Sequence, residues 1–412
     1  MMRTRAKRWW VLVMLILVAL CLLFGLSLKI QIAMMQIPGS SLLRHSVGAA
    51  RAGTLSPSIP VLEEPGGVAL CDLPWFVEAR QAAAKEQQAG LLHLCPNAGI
   101  LTVQQGGRLG NQMWEYASVW GLAMEVPWLT PAIPRCLLRA IDDAFPFLTL
   151  PELKVPTLQR GCNANSGVIA QPEPTLSQKD VLQVLQDCQK ERSDTHFGQK
   201  NSFHCQQNMV LERWVALPEL VLPRLTLLRE QDFRFHSYLT DLATSFLAAI
   251  MQKTEASVFI SVHVRRGDYS DYLSSKHNAS LAPISYFEEA INIFNHHFIG
   301  GDKVAFIVIS DDISWCRHNI MHLHENIFIA WDPVEGWKEK TENLAGVPES
   351  DLALMALCNH TILDYGSFGT WGALLSGGKT IAYGIDGLLS TKIANLLTHW
   401  KTLPEKTIFQ RN

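Results

Sequence analysis

The sequence predicts an α/β protein built on parallel sheet, and three observations carry that prediction. Residues 258–264, Val-Phe-Ile-Ser-Val-His-Val, are an apolar, β-branched run of strand length. From there to about residue 383, strand-like and helix-like segments alternate, the pattern of a parallel, Rossmann-like sheet. A second strand, glycine turn and helix at 100–124 points to two Rossmann-like halves facing a cleft, although no internal repeat is visible.

Taken in order, the chain begins with Arg3, Arg5, Lys7 and Arg8, followed by residues 9–28 without a charge. That run is long enough to cross a bilayer as a helix. Its basic flank predicts a cytosolic tail at 1–8 and a signal-anchor at 9–28, with everything after it lumenal. A cleaved signal peptide is the rival, but the run is long and no Ala-x-Ala site follows it. Residues 29–97, rich in Ala, Pro, Gly and Ser, read as a stem with short helical pieces such as 76–88.

A globular domain is expected over 98–412. It opens with a strand at 100–103, a glycine-bent turn from Gly106 to Asn111 and a helix at 112–124. Residues 150–210 are polar, with an amphipathic helix at 176–191, and 217–253 has the apolar spacing of one or two helices. After the strand at 258–264 come a helix at 284–296, a strand at 304–310, a helix around 314–321 and a strand at 327–331. A helix at 351–358 capped by Ser350 or Asp351, a strand at 361–363, a helix at 367–376 and a strand at 380–383 complete the series.

Composition narrows the function. The 412 residues carry a net charge of −3, which provides no basic face for nucleic acid. Cys21 lies in the predicted span. The other eight cysteines could form up to four disulfides in an oxidising lumen, and none forms a Cys-x-x-Cys pair for zinc or redox chemistry. Asn278-Ala279-Ser280 and Asn359-His360-Thr361 are N-glycosylation sequons. The second follows an apolar run that could bury it.

The chemistry gathers at the strand ends. His263, Arg265, Arg266 and Asp268 follow the apolar run with no spacer, and ligands of open α/β sheets bind just beyond strand carboxyl ends. Two guanidiniums there suit a diphosphate, which Arg can grip bidentately. A structural ion pair is the plainer reading, and Arg266-Gly267-Asp268 as an adhesion tripeptide would need a mobile loop tip. Gly366-Ser367-Phe368-Gly369-Thr370 between strand and helix can present backbone N–H groups to a phosphate, or can be a plain turn with Ser367 as cap. Arg108, Asn111 and Gln112 on the first glycine loop suit sugar hydroxyls or phosphate oxygens. The spacing from Gly372 to Thr380 fails as a phosphate-binding P-loop. There is no Asp-x-Asp for a metal, because Asp311 and Asp312 are adjacent and Asp312 suits a helix cap.

Together these pieces resemble a family. Gly107-Arg108-Leu109-Gly110-Asn111-Gln112-Met113, His263-Val264-Arg265-Arg266-Gly267-Asp268, Ser310-Asp311-Asp312 before Trp315-Cys316, Cys358-Asn359-His360-Thr361-Ile362 and Gly366-Ser367-Phe368-Gly369-Thr370-Trp371 stand in the order of the α-1,2-fucosyltransferases of glycosyltransferase family 11. The likeness spans roughly residues 98–385. It departs before the first C-terminal strand, where a Gln-Ser segment ending Tyr-Phe is expected. Gln206-Gln207-Asn208-Met209 and Glu212-Arg213-Trp214 stand there instead, a difference that bears on acceptor contacts more than on donor binding.

The resemblance implies a GT-B-like fold with a donor-binding half at about 255–390. It also implies inverting, metal-independent transfer of L-fucose from GDP-β-L-fucose to O2 of a terminal β-galactoside, with no cofactor. Arg265 would be the main diphosphate contact, backed by Ser367, Phe368 and Gly369. His263, Arg266 and Asp268 would fix the arginines or touch the nucleotide, and Arg108 and Asn111 would border the phosphate–acceptor boundary. Glu115 and Asp268 are the candidate general bases, and Glu115 could equally be a solvated helix residue. Anchor, stem and family together imply the Golgi membrane in type II orientation. Another fucose acceptor, such as an N-glycan core sugar or a protein hydroxyl, an inactive lumenal lectin or scaffold, and a homodimer all stay open.

Overall fold

The computed structural model describes residues 100–126, 129–153, 175–193, 208–298, 301–337 and 346–404. The predicted tail, anchor and stem lie outside these residues. Among those described, no helix is long and apolar enough to cross a membrane.

The chain runs through β1 (Ile100–Val103), α1 (Leu109–Glu125), β2 (Thr130–Pro131), α2 (Arg135–Asp142), β3 (Thr175–Leu176), α3 (Gln178–Ser193) and β4 (Met209–Leu211). Then come α4 (Pro218–Val221), α5 (Leu225–Glu230) and α6 (Ser237–Thr254). The second half contains β5 (Val258–Val264), α7 (Tyr269–His277), α8 (Ile284–His297), β6 (Val304–Ser310), α9 (Ile313–Asn319), β7 (Ile327–Ile329) and α10 (Pro348–Leu357). It closes with β8 (His360–Leu363), α11 (Ser367–Ser376), β9 (Thr380–Tyr383), α12 (Leu389–Ala394) and β10 (Trp400–Leu403).

These strands make two parallel sheets among the described residues. The first has the order β2-β1-β4-β3 and the second β10-β9-β8-β5-β6-β7. Numbered within itself, the second sheet is ordered 6-5-4-1-2-3, the doubly wound arrangement in which direction reverses between the first and fourth strands. That switch point falls between β5 and β8, where His263 pairs with Leu363. In the first sheet the corresponding point lies between β1 and β4. Every side chain of β5 is buried, as expected of a central strand covered on both faces.

The two sheets are joined through α1 and α11. Trp114 of α1 lies 4.5 Å from Trp371 of α11, and Phe233 meets Trp371 edge-on at 5.0 Å. One apolar core takes in Leu101 and Leu211 of the first sheet together with Leu363 and Ala382 of the second. Burial of these aromatics holds one half against the other.

Several boundaries differ from expectation. Helix α1 begins at Leu109, so half of the predicted glycine turn is already helical. Pro348 starts α10 in the favoured N1 position after Val347, and neither Ser350 nor Asp351 caps it. Strand β7 stops at Ile329 because Trp331 is left-handed, with φ 65°. Cys136 is disulfide-bonded, whereas Cys316 and Cys358 are free thiols buried in separate apolar cores. The upper limit of four disulfides therefore falls to three.

Candidate active site

Between the two switch points lies a cavity of about 400 Å³. Arg108 and Asn111 line it from the first half, and His263, Arg265, Asp268, Ser367 and Phe368 from the second. Residues 256 positions apart in sequence thus share one wall, joined by a 2.6 Å hydrogen bond from the Ser367 hydroxyl to Asn111 Oδ1. Ser367 was expected to turn its hydroxyl to an anion or to cap the helix. It is instead the first helical residue, after Gly366, and its hydroxyl ties the halves together.

Two helix N-termini meet at this wall. A Cβ on Gly110 would come within 2.4 Å of the Phe368 backbone nitrogen, so only glycine lets the start of α1 abut the start of α11. Neither helix has a side-chain cap, which leaves first-turn N–H groups and two positive dipole ends facing the same region. Gly366 holds φ 91° against the Tyr269 hydroxyl, a conformation that other residues rarely adopt. Gly369 gives way to His263, whose Nδ1 would lie 2.6 Å from any added Cβ.

The arginines are set by carboxylates. Arg265, with 18% of its side chain exposed, forms ion pairs with Asp268 on one terminal nitrogen and Asp311 on the other. Asp268 also takes Arg108, bridging the two halves with one carboxylate. Asp311 further accepts the backbone N–H of Arg266 at 2.8 Å and of Gly267 at 3.1 Å, which locks the arginine turn. The two ion pairs of Arg265 use two of its five N–H donors, so the held fork retains donors for an oxyanion. Beneath it, Asp364 accepts the Arg265 backbone N–H at 2.6 Å, and its other oxygen lies 3.2 Å from His263 Nδ1. Burial raises the Asp364 carboxyl above the ordinary range, opposed by those hydrogen bonds.

Three predicted residues stand outside the cavity lining: Arg266, Glu115 and Gly369, the last making room for His263 instead of facing the cavity. Arg266 turns out of the cavity lining and stacks its guanidinium on Trp315 at 3.8 Å. Glu115 is neither solvated nor part of the cavity lining. It is fully buried in α1 and accepts the backbone N–H of Trp214 at 2.8 Å and of Gly106 at 3.1 Å. Burial pushes its carboxyl up to about 7, against the pull of those N–H groups and of Arg213. Asp312 caps α9 by accepting from Trp315 N at 2.9 Å, as expected. Asn278 is exposed in a left-handed position at the end of α7. Asn359 is not buried as feared, but its Oδ1 is held by Phe259 N–H at 2.8 Å.

The sequence reasoning missed Asp311, Asp364, Tyr269 and Asp351. Tyr269 lines the cavity beside Arg265 and stacks flat on Tyr365 at 4.8 Å. Asp351 lines it from α10; burial raises its carboxyl to about 7 while Trp331 Nε1 donates to it at 2.7 Å. The first two share a signal, an acidic residue directly after an apolar strand. As a whole the site can hold a compact dianion in fixed donors, beside carboxylates and an aromatic.

The family model for glycosyl transferase family 11 matches residues 225–400. Galactoside alpha-(1,2)-fucosyltransferase 2 of Rattus norvegicus is 30% identical over 69% of this chain and 69% of its own length. The chain belongs to the α-1,2-fucosyltransferases of glycosyltransferase family 11. The Mus musculus protein of the same name is 31% identical over 69% of this chain and 70% of its own, and a Bos taurus galactoside 2-alpha-L-fucosyltransferase 28% over 69% and 67%. Among solved structures, a mutant of Arabidopsis thaliana FUT1 in complex with GDP covers 76% of this chain and 80% of its own, at 14% identity and a TM-score of 0.42. POFUT1 in complex with GDP covers 70% and 99%, at 14% and 0.39. At that distance no residue is matched to a residue. What family 11 membership adds to the geometry is a reaction class: this chain is a glycosyltransferase.

Proposed function

We propose that the chain transfers L-fucose from GDP-β-L-fucose to O2 of a terminal β-galactoside, with inversion and without a metal. The observation that supports this most is the cradle for a leaving diphosphate made by Arg265, Arg108 and the starts of α1 and α11. As the bond from fucose C1 to the diphosphate oxygen breaks, its electron pair leaves on GDP. Fixed donors stabilise that charge without reorganising. The acceptor O2 bonds to C1 from the opposite face and gives up its proton to the Asp268 carboxylate. Of the two predicted bases only Asp268 lines the cavity. Arg108 and Arg265 both hold the Asp268 carboxylate in place, and a loose, cation-like transition state asks little of a base.

His263 and Asp364 hold the arginine turn from below, and Asn111 with Ser367 keeps the first half in register with the second. We also propose a single-pass type II Golgi membrane protein with this domain in the lumen and a glycan at Asn278. The test is transfer from labelled GDP-fucose to phenyl β-galactoside by the full-length chain in EDTA, with linkage analysis of the product. An α-1,2 product in EDTA supports the reading; a different linkage, or loss of transfer in EDTA, removes the acceptor or the metal-independent part of it.

A further inference from the structure

Trp214 is the most exposed large hydrophobic side chain of the described residues, at 60%. It stands in the loop after β4, at the switch point of the first sheet and beside the loop that carries Arg108. Its φ is 65°, an outlier for a bulky residue, and such strain persists only where the surroundings impose it. Here they do. The buried Glu115 carboxylate takes the Trp214 N–H with one oxygen and the Gly106 N–H with the other, clamping both switch-point loops together. Three residues on, Leu217 N donates to Ser118 Oγ at 3.1 Å and ties the same loop to α1 again. The indole itself lies over Gly106, whose added Cβ would meet Nε1 at 2.8 Å, and Arg213 lies 5.6 Å from the ring. Gly107, the next residue, is already part of the cavity lining.

A tryptophan forced into a strained backbone, braced by a buried carboxylate and left exposed at the lip of a transferase cavity contributes little to the core. We propose that Trp214 is the platform on which the acceptor sugar stacks, and that Glu115 is the residue that positions it. This deepens the functional reading above and rests on it. In a β-galactoside the axial 4-hydroxyl leaves the hydrogens on C3, C4 and C5 together on one face. That apolar patch matches the face of an exposed indole. With the galactose laid on Trp214, the sugar edge can extend past Gly106 and Gly107 toward the cavity, where the fucosyl carbon is attacked. Neither Trp214 nor Glu115 lines the cavity that holds the donor cradle, so effects on the acceptor can be read apart from effects on the donor.

The test uses the full-length chain with GDP-fucose, phenyl β-galactoside and three variants, Trp214→Ala, Trp214→Phe and Glu115→Gln. Stacking on an aromatic plus the apolar area it covers predicts that Trp214→Ala raises the acceptor KM about tenfold while the donor KM stays put. Trp214→Phe should recover most of that loss, and Glu115→Gln should move the acceptor KM in the same direction as Trp214→Ala. Saturation-transfer NMR with GDP present should show the galactoside H3, H4 and H5 signals strongest in the wild type and weakened in Trp214→Ala. A wild type that transfers to the galactoside while Trp214→Ala leaves both its KM and its NMR profile unchanged overturns this inference alone. A wild type that binds GDP but neither binds nor fucosylates the galactoside overturns the acceptor reading, and this inference with it.

Discussion

The turns beyond β5, β6 and β8 and the turn beyond β1 meet in one cavity, with the turn beyond β4 braced against the latter, yet the two sheets' turns are built in opposite ways. In the six-stranded sheet the charges are held inward. Arg265 sits between Asp268 and Asp311 with Asp364 beneath, and most of its side chain is covered. In the four-stranded sheet a single buried carboxylate, Glu115, braces two loops from behind, while Arg108 has 72% of its side chain exposed and Trp214 is exposed. A diphosphate is the same in every turnover and rewards fixed, partly desolvated donors. A glycan acceptor arrives from solvent, so its contacts must stand open. Under the proposed function the contrast teaches a division of labour: the donor cradle rests mainly on Arg265, joined by Arg108 and the start of α1, while the acceptor would meet the open side at Trp214.

That division can be broken first at Arg265. Arg265→Ala should lower transfer by about 10²–10³, the loss expected for one preorganised donor, as read from kcat/KM. Next is the seam between the halves. Gly110→Ala drives a methyl against the Phe368 backbone, and overpacking of this kind should cost about 1–3 kcal/mol in thermal or denaturant unfolding and spread the cradle enough to slow transfer. Retention of both stability and rate would show that the helix starts need not touch.

The brace should be visible in a pH series. Glu115 has its carboxyl raised to about 7 from 4.5, so between those values the folded chain binds more protons than the unfolded one. Its contribution to stability is therefore complete below about pH 4.5 and is lost as pH rises through about 7. Denaturant midpoints of Glu115→Gln should fall less steeply over that window than those of the wild type. The smallest effect is expected at Arg108, an exposed ion-pair partner: Arg108→Ala should slow transfer by less than about tenfold at moderate salt.

The same contrast explains what the sequence revealed. Strand β5 is apolar at all but two of its positions and stops at charge, so both the central strand and Arg265 could be read directly. Strand β2 has two residues, one of them Pro131, and β4 has three, too short for a period to show, so most of the first sheet was missed. Helix α7, Tyr-Ser-Asp-Tyr-Leu-Ser-Ser-Lys-His, has one buried side chain and no amphipathic stripe to find. Asp311 and Asp364 act only because β6 and β8 flank β5 in register, a pairing that no local pattern states. Glu115 looked like a surface helix carboxylate because Trp214, one of its two partners, is 99 residues away.

The central claim is that Arg265, at the end of β5, is the main hold on the nucleotide and that Trp214 takes no part in it. Calorimetric titration of GDP into the full-length wild type, Arg265→Ala and Trp214→Ala tests it most directly. The account predicts that Arg265→Ala loses most of its affinity for GDP while Trp214→Ala matches the wild type. Wild-type GDP affinity in a folded Arg265→Ala would contradict it.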